Sequence, residues 1–260
     1  MATAFRSSNP ALNDKTFAPE RLHTLTGADP ADPTWRTTMT LDGVVLKCLL
    51  LLVLLVGGGA FGWSQTERVE DAVQLPVWLL PAVLVGLGVA IATIFRPFWA
   101  RYTAPVYAIV EGAILGAISA AYEARFSGIV LQAVMLTIGV FVLMLVLYGT
   151  RVIRVTEKFR TGVIAATGAV MLVYLVSMVL RLFGTEVPMI HESGLVGILF
   201  SLAVVGIASM NLILDFDFIE RGVANGAPKA LEWYAGFGLL VTIVWLYLEL
   251  LRLLSKLRSR

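Results

Sequence analysis

The chain has 260 residues, 58 % of them hydrophobic, with a mean hydropathy of +0.84 and a formal net charge of +2. Soluble domains of this size are about 45–50 % apolar. The excess here lies in nearly uncharged blocks of about 20 residues, long enough to cross a hydrocarbon core as helices and unlike the alternating 10-residue segments of a membrane barrel. The composition therefore reads as an all-α integral membrane protein. One cysteine, Cys48, excludes an intramolecular disulfide, and with only His23 and His191 as further soft ligands no zinc, haem or iron–sulfur cofactor is expected.

Residues 1–39 are polar and do not read as a signal peptide. "SSNPALND" and "TGADPADPTW" within them have the composition of turns or disorder, so a partly disordered tail is expected before a membrane domain over 40–256. "TLDG" supplies the first helix start, with Thr40 or Asp42 as its cap. Seven apolar segments follow, at roughly 43–63, 77–95, 105–122, 128–149, 162–183, 195–217 and 235–254. Their short connections predict antiparallel neighbours in a seven-helix bundle. Small residues recur in "GAILGAIS", "GVIAATGAV" and "VVGIAS", where they permit close helix approach.

Lys and Arg near the segment ends set the expected orientation. The tail, the 2–3 loop (Arg96, Arg101), the 4–5 loop (Arg151, Arg154, Lys158, Arg160) and the 6–7 loop (Arg221, Lys229) are basic, which places the N-terminus in the cytoplasm. Lys256, Arg258 and Arg260 oppose this if the seventh segment crosses fully, so that segment is either re-entrant or overruled by the upstream charges. Its apolar length of about 20 residues favours a full crossing. The terminal "SKLRSR" reads as a headgroup anchor, not a nucleic-acid site.

Acids in apolar spans are the candidate site residues, because a mid-bilayer charge costs at least about 2.5–3.5 kcal/mol. Glu111, in "YAIVEGAILG", lies inside the third span, either as a working carboxylate or as a neutral acid bonded between helices, with Tyr107 one turn away as a donor. Glu249, in "WLYLELLRLL", is followed one turn on by Arg252 and is either an ion pair or a site. Asp215, Asp217 and Glu220 close the sixth span in "NLILDFDFIERG", either as a site or as the solvated end of a helix. If such acids converge, their hard oxygens suit Ca²⁺ or protons, and a carboxylate pair titrates as a coupled unit. No calcium loop, phosphate loop or nucleophile–base set accompanies them, so an enzyme is not expected.

Taken together, "SNPAL" with "MTLDGVVLK", "VYAIVEGAILGAISAAYE", "LILDFDFIERG" and "WLYLELLRLL" resemble the Bax inhibitor-1 family (the transmembrane Bax-inhibitor-motif proteins) over roughly 40–256, in its bacterial branch with a long N-terminal tail. The resemblance implies a seven-helix bundle with the last helix central, in a bacterial plasma membrane. It also implies a pH-sensitive calcium leak in which an aspartate of the sixth helix pairs with one of the seventh. Asp215 falls on the first of these. The second falls on Glu249 or, in the alignment needing fewer extra residues, on Thr242, which would leave the partner carboxylate missing, with Asp217 or Glu111 as substitutes. A basic latch near the cytoplasmic end of the second helix is also implied, and Arg96 stands nearest to it. The expected function is a cation leak channel or exchanger with Ca²⁺ as the transported ion, held at Asp215. The alternative is a non-transporting interaction protein that modulates a membrane protease or a stress response. The bilayer, and in the alternative a membrane-protein partner, are the expected contacts.

Overall fold

The computed structural model describes residues 37–69, 72–183 and 194–259. The tail readings, both histidines and Arg260 lie outside what is described. Seven long helices occupy the described residues: α1 Leu41–Ser64, α2 Leu79–Phe95, α3 Ala100–Arg125, α4 Ile129–Gly149, α5 Glu157–Leu182, α6 Leu195–Ala224 and α7 Glu232–Arg258. Six helical segments are long and apolar enough to cross a membrane, and α2, at 17 residues, is the shorter exception. A short antiparallel pair, β1 Glu67–Val69 and β2 Ala72–Gln74, joins α1 to α2.

Thr40 caps α1, its Oγ1 accepting from the Gly43 N–H at 3.0 Å, so Asp42 is left in the first turn. Just before it, Met39 donates its N–H to the Ala227 carbonyl at 2.7 Å and Lys229 donates to the Thr37 carbonyl at 2.9 Å. These bonds tie the α6–α7 connection to the entry of α1.

Pairings along the helices fix their directions. Gly58 lies beside Ile109 and Gly62 beside Ala113, so α1 and α3 run parallel. Ideal Cβ atoms built on Gly62 and Gly116 would fall 1.9 Å from the Ala113 carbonyl oxygen and 2.0 Å from that of Gly59. The two backbones are thus in direct contact, a packing open only to residues without a side chain and the usual way helices associate where lipid removes the hydrophobic drive. α6 and α7 are antiparallel, with Thr242 opposite Asp215 and Lys256 opposite Ser201.

α7 lies at the centre. Gly236 abuts Cys48 of α1, Phe237 meets Tyr107 of α3 edge-on at 5.1 Å, and Tyr247 bonds Ser119 of α3. Glu249 reaches Tyr174 of α5, Thr242 reaches α6, and Arg258 reaches the α3–α4 turn at the Ser127 carbonyl. Its first residue stands at the entry of α1 and its last at the opposite end of the bundle. It therefore runs the bundle's full length and is not re-entrant. Lys256, read from the sequence as a charge beyond the span, is buried and donates to the Gly197 carbonyl and Ser201 Oγ, both at 2.9 Å. An internally bonded ammonium is a poor guide to orientation, which eases the conflict with the basic loops.

Glu232, at the first turn of α7, is wholly buried. Its Oε1 accepts from the Thr40 N–H and hydroxyl, each at 3.1 Å, and its Oε2 lies 3.1 Å from Lys47 Nζ. Gly43 leaves room for the carboxylate, since a Cβ there would stand 2.1 Å from Oε1. Glu232→Gln keeps the shape and removes the charge. We expect it to lower thermal stability by about 2 kcal/mol, the worth of a hydrogen-bonded charge in a dry site. Melting of the purified protein in detergent reads this, and a wild-type curve would mean Glu232 is not what joins α7 to α1.

Candidate functional site

The stretch Asn211–Ile219 of α6 is buried on every side. A helix that is apolar all round belongs inside a bundle, and this one carries Asp215 and Asp217 in with it. Asp215 is fully buried, and the Thr242 hydroxyl donates to its Oδ2 at 2.5 Å. Asp215 is therefore not the wet end of a helix. Of the two residues aligned against it, Thr242 faces it. The α7 partner of the sixth-helix acid is a hydroxyl, not a carboxylate.

Glu249 lies seven residues further along α7, about 10 Å by helical rise, and does not join Asp215. Its Oε1 accepts from Tyr174 Oη at 2.7 Å and from Arg252 at 2.8 Å, and Arg252 also donates to Tyr174 Oη at 2.6 Å. The i,i+3 pair read from the sequence is present, completed by a tyrosine from α5 that spacing alone could not supply. Glu249 is nevertheless almost wholly buried, and its Oε2 has no hydrogen-bond partner among the described residues.

The other two acids ending α6 are held by arginines. Asp217 Oδ2 lies 3.0 Å from both Arg160 and Arg221, and Arg160, itself 4 % exposed, also meets Glu157 at 3.0 Å. Arg160, counted from sequence as a loop charge, is thus a buried tether between α5 and α6. Glu220 is bonded by Tyr148 and Arg151, half in solvent.

Glu111 stands apart, half-buried, with its carboxylate beside Gly86 of α2. Among the described residues no hydrogen bond from Tyr107 reaches it, and Tyr107 packs on Phe237 instead. Arg96 caps α2 with its guanidinium 5.7 Å from the Trp99 ring and forms no ion pair among the described residues. No group of three or more His, Cys, Asp or Glu that could hold a metal ion occurs there either. Two cavities, of about 390 and 560 Å³, lie between α1 and α4, and none of Asp215, Thr242 and Glu111 lines either of them.

Three features were missed from the sequence. Glu232 sits in a connection that hydropathy reads as outside the span. Arg160 and Lys256 read as end charges because nothing local announces their partners. A usable signal existed on α5, where Arg160, Thr167 and Tyr174 recur every seven residues, a stripe overlooked beside the small residues of the same span.

A seven-helix bundle with a central last helix and a carboxylate enclosed between its last two helices defines a polytopic membrane protein whose interior is polar at chosen points. A family model described as Bax inhibitor 1 like matches residues 7–259, nearly the whole chain, and the chain belongs to that family. Comparison with curated proteins and with solved structures gave no match.

Proposed function

We propose that this protein is a pH-sensitive cation leak of the bacterial plasma membrane, with Ca²⁺ as its ion, its N-terminus cytoplasmic and Asp215 as the responsive carboxylate. The observation that carries this reading is the complete burial of Asp215 on α6, facing Thr242 of the central helix α7. A charge so placed is costly and in membrane helices marks an ion or proton path. Family membership supports a channel- or transport-related role, and the basic loops support the orientation. Ionised, Asp215 attracts a cation; protonated, it does not, so flux changes over the pH range in which it titrates. Thr242 positions the carboxylate by donating to it. The arrangement differs from a two-carboxylate sensor, since one acid and a hydroxyl cannot share a proton as two acids do.

The test is calcium entry into liposomes that hold the purified protein and an internal calcium dye, scanned over pH. Asp215→Asn, nearly isosteric, is expected to cut the rate at least about tenfold, equivalent to roughly 1.4 kcal/mol of lost stabilisation, and to flatten the pH profile. An unchanged rate and profile would remove Asp215 from the mechanism. If the wild-type protein moves no ion, the transport reading gives way to that of an interaction protein.

A further inference from the structure

α5 is built the wrong way round for a helix held only by packing. Its inward positions are Arg160, Val163, Thr167, Val170, Tyr174 and Ser177, four of the six polar, while Met171, Leu172, Leu175 and Met178 face outward and are exposed. Each of the three long-spaced polar residues meets the α6–α7 pair. Arg160 binds Asp217, Asn211 donates to Thr167 Oγ1 at 2.8 Å, and Tyr174 binds Glu249. From Arg160 to Tyr174 is fourteen residues, about 21 Å of helix, most of a hydrocarbon core of about 30 Å.

The grip on α5 is also loose. Gly162 and Gly168 face open space where the α1–α3 glycines face backbone. Sparse polar bonds, without close backbone contact, allow the helix to part from its neighbours with the backbone intact. An acid is buried at two levels of this interface, and Glu249 Oε2 is left without a hydrogen-bond partner among the described residues.

We propose that the seam between α5 and the α6–α7 pair is the route by which a hydrated cation crosses, closed at one end by Arg160 with Asp217 and further along by Arg252 with Glu249. This rests on the transport reading given above and names its path. In the closed form both acids are neutralised by arginines. Parting of α5 exposes two carboxylates, the Thr167 and Tyr174 hydroxyls and the Asn211 amide to one continuous aqueous strip, while the lipid-facing side of α5 is unchanged.

The single native cysteine makes the test direct. In a Cys48→Ala background, Thr167→Cys and Val170→Cys place thiols on the inward stripe and Leu172→Cys places one on the lipid face. Each is exposed in liposomes to a cationic, membrane-impermeant methanethiosulfonate. A thiol in a dry apolar setting stays protonated and inert, so the two seam positions are expected to label at least about tenfold faster than Leu172→Cys. Labelling is expected to block calcium entry. Val170→Cys carries the test should loss of the Thr167–Asn211 bond disturb folding. Labelling no faster than on the lipid face, or fast labelling that leaves calcium entry intact, overturns the route. If the seam resists while the unlabelled protein conducts, the route alone fails. If no form of the protein conducts, the transport reading fails and takes the route with it.

Discussion

Gly116→Ala is expected to unseat α1 from α3 and to leave little protein that survives detergent extraction in monodisperse form. The added methyl carbon would lie 2.0 Å from the Gly59 carbonyl oxygen, with the Gly59 carbonyl carbon and Cα at 2.7 and 2.8 Å. These are backbone atoms, which cannot swing aside as a side-chain tip can, so one helix must move away from the other. Overpacking of this kind costs about 1–3 kcal/mol, and it falls on a pair that depends on close approach because lipid offers no hydrophobic drive to association. Gly139→Ala is the matched control. That glycine lies on α4 with open space beside it, and alanine there gains up to about 1 kcal/mol of helix propensity. Melting of both variants, followed by size-exclusion chromatography, separates the two effects. Equal losses would show that the α1–α3 contact is not the close one described here.

Thr242→Asp is expected to change the form of the pH response instead of its strength. It sets a second carboxylate where a hydroxyl now stands 2.5 Å from Asp215 Oδ2. Two acids that close share one proton and release two in separate macroscopic steps. Calcium entry in liposomes should therefore follow a two-step profile with pH where the parent follows one. Thr242→Val is the complement, as it keeps the volume, removes the donor and costs about 1.5–3 kcal/mol through a charge deprived of its hydrogen bond. A one-step profile retained by Thr242→Asp would mean that Asp215 does not set the pH response, and attention would pass to Glu249.

The structural difference between these two regions matters for the seam. α1 and α3 are joined backbone to backbone and form the unyielding side of the bundle. α5 is joined through side chains, several of them charged. Movement that opens a path is easier on the second side than on the first, because it exchanges a few polar bonds for water without parting close-packed backbone.

Much of the architecture was legible in the residues. The seven apolar segments correspond to α1–α7 with ends displaced by a few residues, chiefly where α6 continues seven positions beyond its apolar run, to Ala224, carrying its charged end with it. That extension keeps Glu220 helical and brings Arg221 one turn from Asp217. Asp215 and Thr242 were both within reach of the sequence, one through a motif and the other through the spacing of an alignment. What spacing could not choose was whether Thr242 or Glu249 stood opposite Asp215, since both lie on α7 two turns apart and only the register of α6 against α7 separates them.

The sequence by itself determined that this chain crosses a membrane as helices, how many there are, and which carboxylates are costly to place there. Those properties are local, arising from runs of apolar residues long enough to span hydrocarbon and from the price of a charge within them. The tertiary structure alone decided that Asp215 is met by a hydroxyl, that Tyr174 joins Glu249, and that Arg160, Lys256 and Glu232 are interior groups. Each of those pairs side chains from different helices, and such pairing follows from how the helices rotate and slide against one another, which no single segment encodes.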